Sequence, residues 1–184
     1  MHDFRLVDKT SRRLSHWAEL VTRTFEVTGH RNIQEFHSLA IEDYVNVLAV
    51  TDRGEIPMVR QYRPALEDYS LELPGGLPDE GEESAVTAAR ELHEETGYHM
   101  SCEPTLLGCL NPDSGRLENR LWGYFAENVK KDPNDPWTPE AGVETILMSD
   151  SELMEAINSG AFVHALHIAI VGLAVIRGLF RFDN

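Results

Sequence analysis

The first half of the chain is built from short alternations of apolar and polar residues. Residues 20–28, 36–41 and 44–51 are rich in Val, Ile, Thr and aromatics, and their partial alternation predicts strands. Asp52-Arg53-Gly54 predicts a hairpin turn with residues 56–62 as the partner strand, and Pro57 sits next to the turn, where a missing N–H does least harm. Residues 70–73 form another short strand, stopped by Pro74-Gly75-Gly76. The period then lengthens from that of a strand to that of a helix. Ala85, Ala88, Ala89, Leu92 and Thr96 recur at helical spacing, with Ser84 as N-cap and Gly97 just past the end, predicting a helix over Ser84–Thr96.

Beyond it, Thr105–Leu110 and residues 120–126 read as strands joined by the turn-rich loop NPDSGRLEN. Residues 129–142 carry Pro133, Pro136, Pro139 and Gly142 and predict a long loop, of a length that compact domains keep for function. Residues 144–148 resume as a strand. Ser149 and Glu152 have capping-box spacing and open a helix that ends near Gly160, and residues 163–179 make a last, apolar helix. Strands on both sides of one helix, with helices at the C-terminus, predict an α/β class: a mixed sheet sandwiched by helices.

Length and charge narrow the choice. A chain of 184 residues is one domain by default and buries enough surface to hold a core without disulfides or a structural metal. Cys102 and Cys109 make no C-x-x-C pair, which predicts reduced thiols in a cytoplasmic protein. The start, MHDFRLVDKT, lacks the apolar run of an export signal, and the apolar residues 168–176 fall well short of the ~20 needed to cross a bilayer. The net charge is -15, from 16 Lys+Arg against 31 Asp+Glu, with no basic patch, so neither nucleic acid nor anionic membrane is an expected partner. The acid is concentrated: residues 64–104 hold eleven carboxylates against Arg90 alone. Glu67, Asp68, Asp79, Glu80 and Glu83 read as a solvated face.

The others are spaced for a task. Glu91 and Glu95 lie one helical turn apart, with Glu94 beside them and Glu82 just before the helix. Like charges so placed repel and destabilise the helix, more so if desolvated together, so a cation belongs among them. Arg90 is placed to pair with Glu94 four residues on, but one guanidinium does not neutralise three carboxylates. An all-oxygen cluster suits a hard ion, Mg2+ with Mn2+ as the alternative, rather than Zn2+.

The setting is specific. Gly76, Glu82, Arg90, Glu91, Leu92, Glu94, Glu95, Gly97 and Tyr98 fit G-x5-E-x7-R-E-U-x-E-E-x-G-U, where U is aliphatic or aromatic. This stretch resembles the signature of Nudix hydrolases. The resemblance implies a Nudix-type α/β/α sandwich with a mixed sheet, and hydrolysis of a nucleoside diphosphate linked to another moiety. It also implies Glu91, Glu94 and Glu95 as metal-site carboxylates, a backbone carbonyl of Gly75 or Gly76 as a further ligand, and Arg90 orienting the glutamates. Glu82 would support an outer ion. Divalent ions neutralise the crowded oxygens of a pyrophosphate, and a further carboxylate takes the proton of the attacking water.

Val59-Arg-Gln-Tyr-Arg63-Pro64, then Leu71-Glu-Leu-Pro-Gly-Gly76, and Pro112 fourteen residues after Tyr98 resemble the branch that cleaves ADP-ribose and nucleoside diphosphate sugars. That branch takes its base from a loop before the last strand, which makes Glu140 and Glu144 the alternatives. Arg63 and Arg60 are candidate phosphate clamps, and Glu72 and Glu118 candidate ribose or metal contacts. Tyr62, Tyr69, Trp17 and Trp122 read as core aromatics before base-stacking partners, and His164 and His167 read as packing or capping residues. Enzymes of this branch are typically homodimers, so residues 1–40 are expected to be a dimerising strand segment and residues 41–184 the Nudix domain. The competing readings are a Nudix hydrolase for an oxidised nucleoside triphosphate or a dinucleoside polyphosphate, and a nucleotide sensor without turnover.

Overall fold

The computed structural model describes residues 4–28 and 34–182. Met1–Asp3, part of the polar start, lie outside the described residues. The chain divides into two compact units, Met1–Asp43 with Asn111–Arg120, and Tyr44–Leu110 with Leu121–Asn184.

The first unit is an antiparallel sheet of β1 (Phe4–Arg13), β2 (Glu19–Val27) and β3 (Gln34–Ala40), in that order. The alternation of the sequence does not predict β1, because it is exposed along its whole length and has no buried face to imprint a pattern. Its register against β2 runs from Phe4 opposite Val27 to Arg13 opposite Glu19. Residues 111–120 dock on β3, with Leu39 N–H donating to the Arg116 carbonyl at 2.7 Å and Glu118 N–H to the Leu39 carbonyl at 3.0 Å.

The second unit holds β4 (Tyr44–Thr51), β5 (Ile56–Arg63), β6 (Asp68–Glu72), β7 (Gly75–Gly76), α1 (Ser84–Thr96), β8 (Thr105–Leu110), β9 (Leu121–Val129), β10 (Val143–Met148), α2 (Asp150–Ser159) and α3 (Ala165–Ile176). A mixed sheet runs β7-β4-β9-β8, with β4 and β9 parallel, and a second, antiparallel sheet runs β10-β5-β6. Its apolar run lets β4 be buried on both faces. Val45, Val47 and Ala49 pack with Ala88 and Leu92 of α1, while Leu48 packs with Leu121, Phe125, Ile170 and Ala174. The mixed sheet is thus the middle layer between α1 and α3, as expected for the class.

Three local expectations are corrected. The turn at Asp52-Arg53-Gly54 forms, with Thr51 N–H donating to the Glu55 carbonyl at 2.8 Å. β4 and β5 do not pair, however, because β7 and β9 occupy the edges of β4 while β6 and β10 occupy those of β5. The N-cap of α1 is Glu83 rather than Ser84, whose hydroxyl is instead 2.6 Å from the Tyr124 hydroxyl. The last helix is shorter than residues 163–179, ending at Ile176 before Gly178 turns the chain at φ 70°. The Ser149–Glu152 capping box and the left-handed Gly97 are present as the pattern predicts. No described helix is long and apolar enough to cross a membrane.

Gly75 is set by a close approach. A Cβ there would lie 2.1 Å from the Val45 carbonyl oxygen and 2.8 Å from Asn46 Cα, backbone that cannot swing aside. Gly75→Ala is therefore expected to cost about 1–3 kcal/mol. Gly172→Ala, in the interior of α3 with open space around it, should instead gain about 0.5–1 kcal/mol. Urea midpoints of the two variants check both signs.

Candidate active site

The Pro74-Gly75-Gly76 reversal lies against the middle of α1. Asn46, buried in β4, turns its amide nitrogen to the Leu73 and Pro74 carbonyls at 3.3 and 3.4 Å, while β4 pairs with Gly75–Gly76 across the backbone. Gly75 N–H then donates to the Glu95 carboxylate at 2.8 Å. A Cβ on Gly76 would sit 2.3 Å from Glu91 Oε1, so glycine lets the backbone touch the carboxylates.

Arg90 gathers the remaining acids. Its guanidinium donates to Glu82 at 2.8 and 3.1 Å, to Glu91 at 2.8 Å, to Glu94 at 3.0 Å and to the Leu77 carbonyl at 2.9 Å. Glu82 also accepts from Thr87 Oγ1 at 2.9 Å and Asp79 N–H at 3.0 Å. The Arg90 contact and these bonds hold the Glu82 carboxyl down at about 2. Glu91 and Glu95 go the other way. Burial, the largest cause in each, raises both, and the charge of Glu140 pushes further; Glu95 reaches about 8.

β5 and β10 sort the other expected site residues by parity. Thr145 Oγ1 donates to the Glu95 carbonyl at 2.9 Å, so odd positions of β10 face α1. Glu144 then faces the opposite side, where it lies 3.3 Å from Arg60, whose guanidinium is stacked 4.8 Å from the Tyr69 ring. Arg63 shares the α1 side, paired through Nε and Nη2 with buried Glu72 at 2.8 and 2.5 Å, and Glu95 raises its pKa further. Arg60 and Glu144 are therefore together on one face, and Arg63, Glu72 and Glu95 on the other.

Glu140 comes to the carboxylates on the loop before β10. Trp137 anchors that loop, its indole N–H donating to the Glu94 carbonyl at 3.0 Å and its ring covering Gly97, where a Cβ would meet it at 2.7 Å. The sequence pattern points to neither Asn46 nor Trp137. Neither belongs to a spaced motif, although a Trp in a Pro-rich loop is itself a signal that the loop is anchored.

Glu118 lies in the first unit, accepting from Arg23 at 2.5 and 3.0 Å and from the Ser38 hydroxyl. Arg23 and then Ser38 lower it from 4.5 to about 2. Its folded value is depressed, so the stabilisation is present above about pH 4.5 and is lost as pH falls through about 2. Glu118→Gln should therefore lower stability near neutrality, and acid titrations of wild type and variant should converge as pH falls through that window. His167, expected as a packing residue, is buried in the second unit and accepts the Leu73 N–H at 3.0 Å with its ring stacked 3.8 Å from His164.

The NUDIX domain family matches residues 41–164. The chain belongs to the Nudix family. It is 57% identical over 54 residues to the ADP-ribose pyrophosphatase of Bacillus subtilis (strain 168), a stretch that is 29% of each chain. It is 32% identical over 154 residues to the CMP-5'-(N-acetyl-N-hydroxy-3-aminopropyl)phosphonate hydrolase of Streptomyces rubellomurinus, covering 84% of this chain and 72% of that one. Among solved structures, an ADP compounds hydrolase superposes with a TM-score of 0.80 over 97% of this chain and 96% of its own, at 18% identity, which shows the shared fold.

The donor set of this Nudix site fits a hard divalent cation. Glu91 and Glu95 offer only oxygen, are largely withdrawn from water, and repel each other, and a Cβ on Gly76 would fill the space against Glu91. Arg90 reaches Glu91, whereas Glu95 takes its hydrogen bond from the Gly75 backbone.

Proposed function

We propose that this Nudix protein is a metal-dependent pyrophosphohydrolase that splits ADP-ribose or a related nucleoside diphosphate sugar into a nucleoside monophosphate and a sugar phosphate. The observation that carries the reading is the pair of part-buried Glu91 and buried Glu95, set against Gly75–Gly76 and within the field of Glu140. Glu91, Glu94, Glu95 and a Gly75 or Gly76 carbonyl would hold Mg2+, or Mn2+ in its place. When bound, the ion supplies charge neutralisation for the non-bridging phosphate oxygens.

The chain's own groups do the rest. Glu140 accepts a proton from the attacking water, whose oxygen bonds to one phosphorus while the bridging oxygen leaves with the other. Arg90 holds Glu91 and Glu94 in place from outside. Arg63 is kept rigid by Glu72 and presents its outer edge to a phosphate oxygen. Glu144 and Arg60, on the opposite face, are outside this step.

The substrate class is supported by the identity to the Bacillus subtilis ADP-ribose pyrophosphatase, concentrated in a short stretch, and by the RQYRP and LELPGG segments. A second reading, a cytidylyl substrate, is favoured by the longer match to the Streptomyces hydrolase. Relative kcat/KM on ADP-ribose, GDP-mannose, UDP-glucose, a CDP-linked alcohol and an oxidised dGTP separates them, and ADP-ribose is expected to lead. Turnover of the triphosphate alone would discard the substrate assignment.

The exposed edge strand β1 and the edge-to-face rings of Phe4, Phe25 and Phe36 support a homodimer through the first unit. Light scattering should give twice the chain mass, and Phe4→Asp should shift it to the monomer. Two free cysteines suit a cytoplasmic setting.

A further inference from the structure

We propose that His93, His99 and Asp135 form a second cation site, for a borderline-soft transition ion of the zinc class, which fastens the loop that carries Glu140. His93 lies in the last turn of α1, His99 two residues past its left-handed cap, and Asp135 in the loop before β10. Three separate segments thus bring their ligand atoms within 4.8 Å of one another. His93 Nε2 is 2.5 Å and His99 Nε2 2.9 Å from the same oxygen, Asp135 Oδ2, and the two rings stack at 4.2 Å and 27°.

The backbone that presents them is already braced. His99 and Lys130 exchange two hydrogen bonds at 2.7 and 3.0 Å, Gly97 N–H donates to the His93 carbonyl at 2.8 Å, and Asp135 N–H to the Asp132 carbonyl at 3.1 Å. The ligand atoms are therefore held near one another before an ion binds. Two imidazole nitrogens and one carboxylate oxygen suit Zn2+, with a water completing four-coordination, whereas the all-oxygen set of Glu91, Glu94 and Glu95 suits Mg2+. The two sites therefore select different ions. An entry path exists, since a cavity of about 420 Å³ lined by His93, Asp135, Trp137 and Glu140 adjoins the cluster. An ion there would tie Asp135 to α1 in addition to the Trp137 anchor, and so hold the segment leading to Glu140.

The test does not depend on the substrate. The metal-free full chain is titrated with Zn2+ in millimolar Mg2+, which keeps the hard site filled, and with Co2+ as a spectroscopic probe. One Zn2+ per chain and visible Co2+ bands of tetrahedral intensity are expected. His99→Ala and Asp135→Asn should each weaken Zn2+ by more than the roughly 10- to 100-fold seen for lost outer-shell partners, while Glu91→Gln leaves it unchanged. His99→Gln, closer in volume, repeats the loss in a chain whose circular dichroism matches wild type. Zn2+ should also slow amide exchange over residues 132–138 in wild type only. No Zn2+ uptake over Mg2+, or uptake lost in Glu91→Gln but kept in His99→Ala, would overturn the site; unchanged exchange on Zn2+ binding would overturn the fastening role.

Discussion

Glu91→Gln and Glu95→Gln are each expected to reduce kcat/KM by roughly 100- to 10,000-fold, because several kcal/mol of charge stabilisation vanish at about 1.4 kcal/mol per decade. The fold should survive. Glu95 is buried and burial raises its carboxyl to about 8, favouring the uncharged form, so the neutral isostere suits the site and its amide oxygen still accepts the Gly75 N–H. Mg2+ should raise the melting temperature of wild type, through binding to the folded state alone, and leave that of either variant unmoved. A variant that keeps wild-type turnover, or a wild type indifferent to both Mg2+ and chelator, contradicts the cation assignment.

Glu140→Gln is expected to lower kcat by about 100- to 10,000-fold, the range for a lost general base. Mg2+ binding should persist. Glu144→Gln should change kcat less than about twofold, since the side chain faces away from α1 and makes an exposed pair with Arg60 of the kind that contributes little. The opposite ranking of the two variants would move the base to β10 and with it the catalytic face of the sheet.

Much of this site is legible in the amino-acid sequence. Arg90, Glu91, Glu94 and Glu95 share one helix, so helical periodicity alone places them close together, and Glu82 lies just before its start. The helix itself is bounded by its alanine spacing and Gly97. The rest is set by contacts remote in sequence. Glu140 and Glu144 sit four residues apart across a loop end, and only the Thr145 bond to the Glu95 carbonyl decides which way β10 presents its side chains. Arg60 and Arg63 differ by three positions on one strand, an odd step that sends them to opposite faces. The turn after β4 is readable as a turn, but not that its two strands each find other partners, because pairing is settled by which edges remain free. β1 leaves no pattern, having no buried side.

Hydrolysis between the two phosphorus atoms, directed by the α1 carboxylates, can be read out by phosphorus NMR of the purified chain incubated with ADP-ribose and Mg2+. The predicted result is two new phosphomonoester signals in equal amount, AMP and ribose 5-phosphate, absent when Mg2+ is chelated and absent with Glu95→Gln. Inorganic phosphate, an intact diphosphate with free ribose, or the same products from Glu95→Gln at the wild-type rate would contradict it.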